Sequence, residues 1–321
     1  MKDAFREQLN SWGQAGVPFL FVIDFEGAKP LAWKLSEIDS EYILFDINSI
    51  SNAPAGVPFT NPQIVGRNAA FSEYEPRFNF VQQHLYRGDS FLTNLTVATP
   101  IQLKGTLLDC FFASHAPYRL WMKDEFVLFS PEAFVKVRAG KIFSYPMKGT
   151  IDAKIKNARE QILGDEKELA EHVTIVDLIR NDLSAVASDV EVTKFRFIQE
   201  VKSESGNLLQ VSSEISGNLS GSYGKSMGDL LAALLPAGSV SGAPKRKTCE
   251  IIRQAEGSPR GYYSGVCGIF DGVNLDSGVM IRFIEKSGDA YYYRSGGGIT
   301  TQSDARKEWE ETQKKIYVPV R

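Results

Sequence analysis

Between residues 90 and 145 the chain carries five short β-type runs, at 90–98, 118–122, 126–129, 133–137 and 141–145. They follow one another too closely for crossover helices between all of them, so most must pair antiparallel. The exception in this stretch is 107–116, where Leu107, Leu108, Phe111 and Phe112 precede Pro117 in a pattern that fits a helix. Upstream, strands are expected at 17–23 and 41–46, then a Pro/Gly loop at 52–61. Ser72-Glu73-Tyr74-Glu75 reads as a capping box opening a helix that buries Phe78, Val81 and Leu85 and stops at Gly88. Downstream the pattern predicts helix from Asp152 to about Ala187, strands at 190–201 and 208–219, and helix at 225–235. Further strands at 262–270, 278–284 and 290–294 precede a final helix at about 303–316. No internal repeat or linker divides the sequence, so residues 1–321 are read as one domain with a strand-rich N-terminal part, 1–70.

At 321 residues, 43% hydrophobic and 23% charged, the chain has the composition of a soluble globular protein with a large core. A net charge of -3 gives no reason to expect nucleic acid or an anionic membrane as partner. No apolar run approaches membrane-spanning length and the N-terminus is charged and helical in character, which points to a cytoplasmic protein. Cys110, Cys249 and Cys267 lie far apart in apolar surroundings, as reduced core residues do.

Four features carry possible chemistry. Lys148, in Pro146-Met147-Lys148-Gly149-Thr150, is expected at a sharp turn between an apolar strand and a helix capped by Asp152. There it is either a surface lysine or, if dehydrated and near other cations, a nucleophile. Glu168 and Glu171, and again Glu308 and Glu311, stand three apart and so on one face of a helix. They are either two solvated acidic faces or, meeting across a cleft, an all-oxygen site suited to Mg2+. Gly296-Gly297-Gly298, between a strand and a helix, form either a tight bend or a cradle of backbone N–H groups for an anion. Arg282 interrupts an apolar strand and needs a carboxylate, from the protein or from a substrate.

The ordered segments Ser130-Pro131-Glu132, Pro146 to Thr150, Glu171-His172 with Asp177 to Leu183, Gly238 to Lys245, Arg260 to Gly265 and Gly296 to Ile299 resemble the chorismate-utilising enzymes. That family includes component I of anthranilate synthase and of aminodeoxychorismate synthase, and the isochorismate and salicylate synthases. The resemblance covers about Gly88 to the C-terminus and makes 71–321 the catalytic, chorismate-binding region. It implies an α+β fold of two large packed antiparallel sheets with helices on the outside. Lysine at position 148, where anthranilate and isochorismate synthases usually carry alanine, resembles the aminodeoxychorismate synthases. These aminate chorismate to 4-amino-4-deoxychorismate for folate (p-aminobenzoate) synthesis, using ammonia from a glutamine amidotransferase subunit. The resemblance then implies Lys148 as nucleophile and Glu132 as general acid. Glu171 and Glu311 would hold Mg2+, with Glu168 and Glu308 in support. Tyr263, Arg282, Gly296, Gly297, Gly298 and Lys315 would hold the substrate, and Gly149 and Thr150 would line the site.

The chain departs from the family pattern at Leu92, where a polar amide is common, and at Gln210, where a histidine is common. The N-terminal part is short and lacks the segment associated with tryptophan feedback, so inhibition by tryptophan is not expected. His84, His115 and His172 and the three cysteines form no glutaminase arrangement, which leaves ammonia to come from a partner subunit. Two other readings stand beside this one: an anthranilate synthase or other chorismate enzyme with an unusual lysine, and a non-catalytic chorismate-binding subunit.

Overall fold

A computed structural model describes residues 1–203 and 206–320. Among these residues the strands form two nine-stranded antiparallel sheets. The first runs in the spatial order Met147–Asp152, Gly206–Asn218, Lys141–Ser144, Ala133–Arg138, Leu275–Val279, Val266–Phe270, Phe19–Ile23, Leu31–Lys34, with Ser188–Ser203 on the other edge of Gly206–Asn218. The second runs Gly242–Ala243, Leu92–Lys104, Ala290–Ile299, Phe283–Ser287, Phe126–Ser130, Tyr118–Met122, Ile43–Ile47, Ile50–Ser51, with Gln63–Arg67 also on Leu92–Lys104. The close spacing that required antiparallel pairing is thereby accounted for: Tyr118–Met122 and Phe126–Ser130 form a hairpin, and so do Ala133–Arg138 and Lys141–Ser144.

Strand period and burial explain the layering. All five residues of Phe19–Ile23 are buried. Phe19, Phe21 and Ile23 face a helical layer, whereas Leu20 and Val22 face Phe45, Leu120 and Phe283 of the second sheet. On the far side of the second sheet, Trp121, Val127 and Phe129 pack against Phe111 and Cys110 of the helix Leu107–Ala113. The order is therefore helix, sheet, sheet, helix, the α+β architecture expected from the sequence. Among the described residues no helix is long and apolar enough to cross a membrane.

Several local expectations are corrected. The helix expected from Ser72 begins one residue earlier, as Phe71–Tyr86, with Ala70 at its N-cap and no side-chain cap. Its buried face, Tyr74, Phe78, Val81 and Leu85, is the expected one. Asp152 caps no helix: the segment after Lys148 is the strand Met147–Asp152, which borrows its hydrogen bonds from Gly206–Asn218. Helix starts only at Ala158, in two pieces, Ala158–Gly164 and Glu166–Ser184. The run 278–284 is two strands in different sheets. The chain leaves the first sheet at Val279 and enters the second at Phe283, and Arg282 sits between them in a left-handed conformation, φ 53°.

Candidate active site

Strands of both sheets help to line a cavity of about 520 Å³, within the range of small-molecule sites. All fourteen residues singled out in the sequence line it: Glu132, Lys148, Gly149, Thr150, Glu168, Glu171, Tyr263, Arg282, Gly296, Gly297, Gly298, Glu308, Glu311 and Lys315.

Lys148 reaches the cavity from a strand. A bulge between Met147 and Thr150, with Gly149 at φ 80°, breaks the pairing with Gly206–Asn218 at this point. A Cβ on Gly149 would meet Glu168 Oε2 at 3.2 Å and Ile162 at 3.5 Å, so glycine lets the strand pass close under the helices. The partner of Lys148 is a carboxylate: its Nζ lies 3.4 Å from Glu171 Oε2. Its reading as a nucleophile called for nearby cations; the contact found is this ion pair.

Gly296, Gly297 and Gly298 form neither a bend nor a helix-opening cradle. They continue the strand Ala290–Ile299, opposite Thr96, Leu95 and Asn94. Pairing with Phe283–Ser287 ends at Arg294, so beyond it one strand edge is free over the cavity. A Cβ on Gly296 would come within 2.8 Å of Leu95 O, and one on Gly298 within 3.0 Å of Leu92 Cδ1 and 3.3 Å of Lys148 Nζ. The glycines keep this wall free of side chains, which exposes backbone to the cavity and leaves the lysine amine uncovered on this side.

The carboxylate pairs come from two helices. Glu166–Ser184 opens with Asp165, whose side chain accepts from Glu168 N at 2.9 Å. His172 ties this helix to the strand behind it through Nε2 and Ser213 Oγ, 2.7 Å apart. Burial holds the His172 imidazole neutral, with its pKa pushed down to about 4. Ala305–Lys314 opens with Asp304, which accepts from Lys307 N at 3.0 Å. Glu308 is buried and accepts from Ser303 Oγ at 2.7 Å, while Glu311 pairs with Lys315 at 2.7 Å. Lys315 also donates to Gly296 O at 2.8 Å.

Arg282 owes its direction to the crossing between the sheets. Its guanidinium donates to Lys315 O at 3.1 Å and stacks on Tyr317 at 4.8 Å, so among the described residues its hydrogen-bond partner is a backbone carbonyl and not a carboxylate. Tyr263 is buried, and that burial pushes its phenol pKa up to about 12.

Glu132 is the group whose protonation the fold controls most visibly. Burial raises its pKa above the usual carboxylate range, opposed by a hydrogen bond from Ser239 and by the charges of Lys148 and Lys315. Ser239 Oγ donates to Glu132 Oε1. Ser239 was missed as a site residue: it lies in the glycine-rich stretch 236–245, but nothing in that spacing shows it facing a residue 107 positions earlier. Asn94, Tyr293 and Arg294 also line the cavity without having been singled out.

A family model described as chorismate binding enzyme matches residues 34–321. The chain is 48% identical over 321 residues to an uncharacterised PabA-like protein of Haemophilus influenzae, a match that takes in 98% of this chain and 96% of that one. It is 29% identical to aminodeoxychorismate synthase component 1 of Bacillus subtilis, over 88% of this chain and 62% of that protein. Among solved structures, anthranilate synthase component I from Streptococcus pneumoniae superposes with a TM-score of 0.68 at 27% identity, over 81% of this chain and 60% of that one. Both named synthases are longer, and the chain spans less than two thirds of each.

Proposed function

The chain belongs to the family of chorismate binding enzymes, and from that premise we propose that it is an aminodeoxychorismate synthase component I. It converts chorismate to 4-amino-4-deoxychorismate with Mg2+ and with ammonia released by a separate glutamine amidotransferase subunit, and so serves folate synthesis. The observation that carries this reading is the amine of Lys148, uncovered above Gly298 in the same cavity as the protonatable Glu132.

Chorismate carries two carboxylates, and the cavity offers Arg282, Lys315, the Tyr263 phenol and the open edge at Gly296 to Gly298 to receive them. Gly149 and Thr150 line the wall beside the ring. Lys148, once it has given up a proton to water, adds its lone pair to C2; the ring double bond migrates and the C4–O bond breaks. Glu132 gives its proton to the departing hydroxyl, which leaves as water. Ammonia then adds at C4, the double bond returns, and the bond from C2 to Lys148 breaks with its electrons returning to the amine. The new ammonium group loses a proton, which restores Glu132.

The donor set suits a hard divalent cation: four carboxylates on two helices line one cavity. Among the described residues no three His, Cys, Asp or Glu side chains form a metal site alone. Magnesium fits such a site, because it takes few protein ligands and completes its shell with water and substrate oxygen. Glu171 and Glu311 would hold it, supported by Glu168 and Glu308, and its charge would offset that of the ring carboxylate.

The test is product identity after incubation with chorismate, Mg2+ and an ammonium salt at raised pH, followed by chromatography and mass spectrometry. The expected product is 4-amino-4-deoxychorismate, with glutamine serving only after an amidotransferase subunit is added. Anthranilate or isochorismate as the product overturns the reading.

A further inference from the structure

Two ion pairs, one buried and one half-buried, converge on one short turn, Gly238–Val240. Arg260, 1% exposed, is held by Glu256 and donates to Val240 O at 2.7 Å. Lys245 pairs with Asp182 at 2.7 Å and donates to Leu234 O. Gly238 packs so closely on Asp182 that a Cβ there would lie 3.0 Å from Oδ2. Ser241 closes the turn by donating to Ala237 O at 2.9 Å. Single ion pairs, buried or half-buried, contribute little net stability, so their concentration here points to a turn that must be held still. What the turn presents to the cavity is Ser239, with its hydroxyl on Glu132.

Glu132 is pinned from its own side as well. Its N–H donates to Ser130 Oγ at 3.1 Å and its carbonyl accepts from Val279 N at 3.0 Å. We infer that Ser239 is a positioning residue for Glu132: by occupying one carboxyl oxygen, Oε1, it turns the other, which bears the proton, toward the substrate. This rests on Glu132 being the general acid of the proposed reaction. The charged groups that face Glu132 are Lys148 from the strand Met147–Asp152 and Lys315 from the end of the last helix. Asp182 of the long helix shares with it a small cavity of about 20 Å³. Donating to a carboxylate favours its ionised form, so loss of the Ser239 hydroxyl moves Glu132 titration upward.

The experiment follows chorismate consumption, whatever the product, in Ser239→Ala, Ser239→Thr and Ser239→Cys enzymes across pH, with Tm measured for each. Ser239→Ala should lower kcat roughly tenfold, as expected for an unaimed general acid, with little change in KM. Its alkaline limb should move to higher pH, and Ser239→Thr should return both rate and limb toward native. Should the alanine variant fail to fold, Ser239→Cys keeps the volume with a weak donor, and a native rate and native limb in that variant overturn the inference. So does an alanine variant slowed without any movement of the limb, which marks a structural role. A Glu132→Gln enzyme as fast as native instead overturns the assignment of Glu132 itself.

Discussion

The helices Glu166–Ser184 and Ala305–Lys314 present the same pattern to the cavity from two of its walls, and with different partners. Each is capped by an aspartate and carries two glutamates three residues apart near its N-terminal end, where the helix dipole favours negative charge. On the first helix Glu171 stands 3.4 Å from Lys148, which comes from a separate strand. On the second, Glu311 pairs with Lys315, which is also fastened to Gly296 O. One amine is held by that ion pair from a neighbouring strand; the other is fastened both to its own helix and to the backbone of Gly296. Identical spacing therefore says where the carboxylates lie but not what they work with. That is set on the first helix by the strand that brings in Lys148 and on the second by the helix's own C-cap, Lys315.

The sharpest break would come at the two lysines. Lys148→Ala should cost on the order of 10³-fold or more in kcat at low ammonium, since no covalent intermediate can form. Lys148→Arg, which keeps the charge but not the nucleophile, should be similarly impaired. Native enzyme with chorismate and no ammonia should show a mass increase on the peptide containing Lys148. A near-native Lys148→Arg enzyme without any adduct would remove the distinction between the walls. Next in size, Glu171→Gln and Glu311→Gln should each lower Mg2+-dependent turnover on the order of 10²-fold with circular dichroism unchanged. Full activity in either would take that wall out of the metal site. The smallest effect is expected for Lys315→Ala: roughly a tenfold rise in KM with kcat less affected, as for loss of an anion-binding group. A kcat loss matching that of Lys148→Ala would make the two lysines equivalent.

The sequence carried the pairing of the sheets and the membership of the cavity further than it carried local geometry. Alternating apolar runs state which faces are buried, and Phe19–Ile23, buried on both, needs two layers to satisfy it. The glycines at 296–298 looked like the end of a strand because glycine is rare inside strands; their pairing partners, Asn94 to Thr96, lie about two hundred residues away. Lys148 was placed at a turn for the same reason, since the strand Gly206–Asn218 that makes it a strand residue comes much later in the chain. Caps were misassigned to Ser72 and Asp152, while Asp165 and Asp304, the caps that position the glutamates, were passed over. A capping oxygen is recognised by the N–H it reaches, and several Ser and Asp residues in this chain precede an acidic residue at similar spacing.

The pairing of Phe19–Ile23 with Val266–Phe270 has a consequence for synthesis. Leaving the ribosome, the first of these strands has only Leu31–Lys34 beside it until Val266–Phe270 has been made. Its five apolar residues must wait without their second neighbour, a template for mispairing with another nascent copy. Closure of that sheet is thus a late event that spans most of the chain, and refolding from denaturant should be slow for the same topological reason.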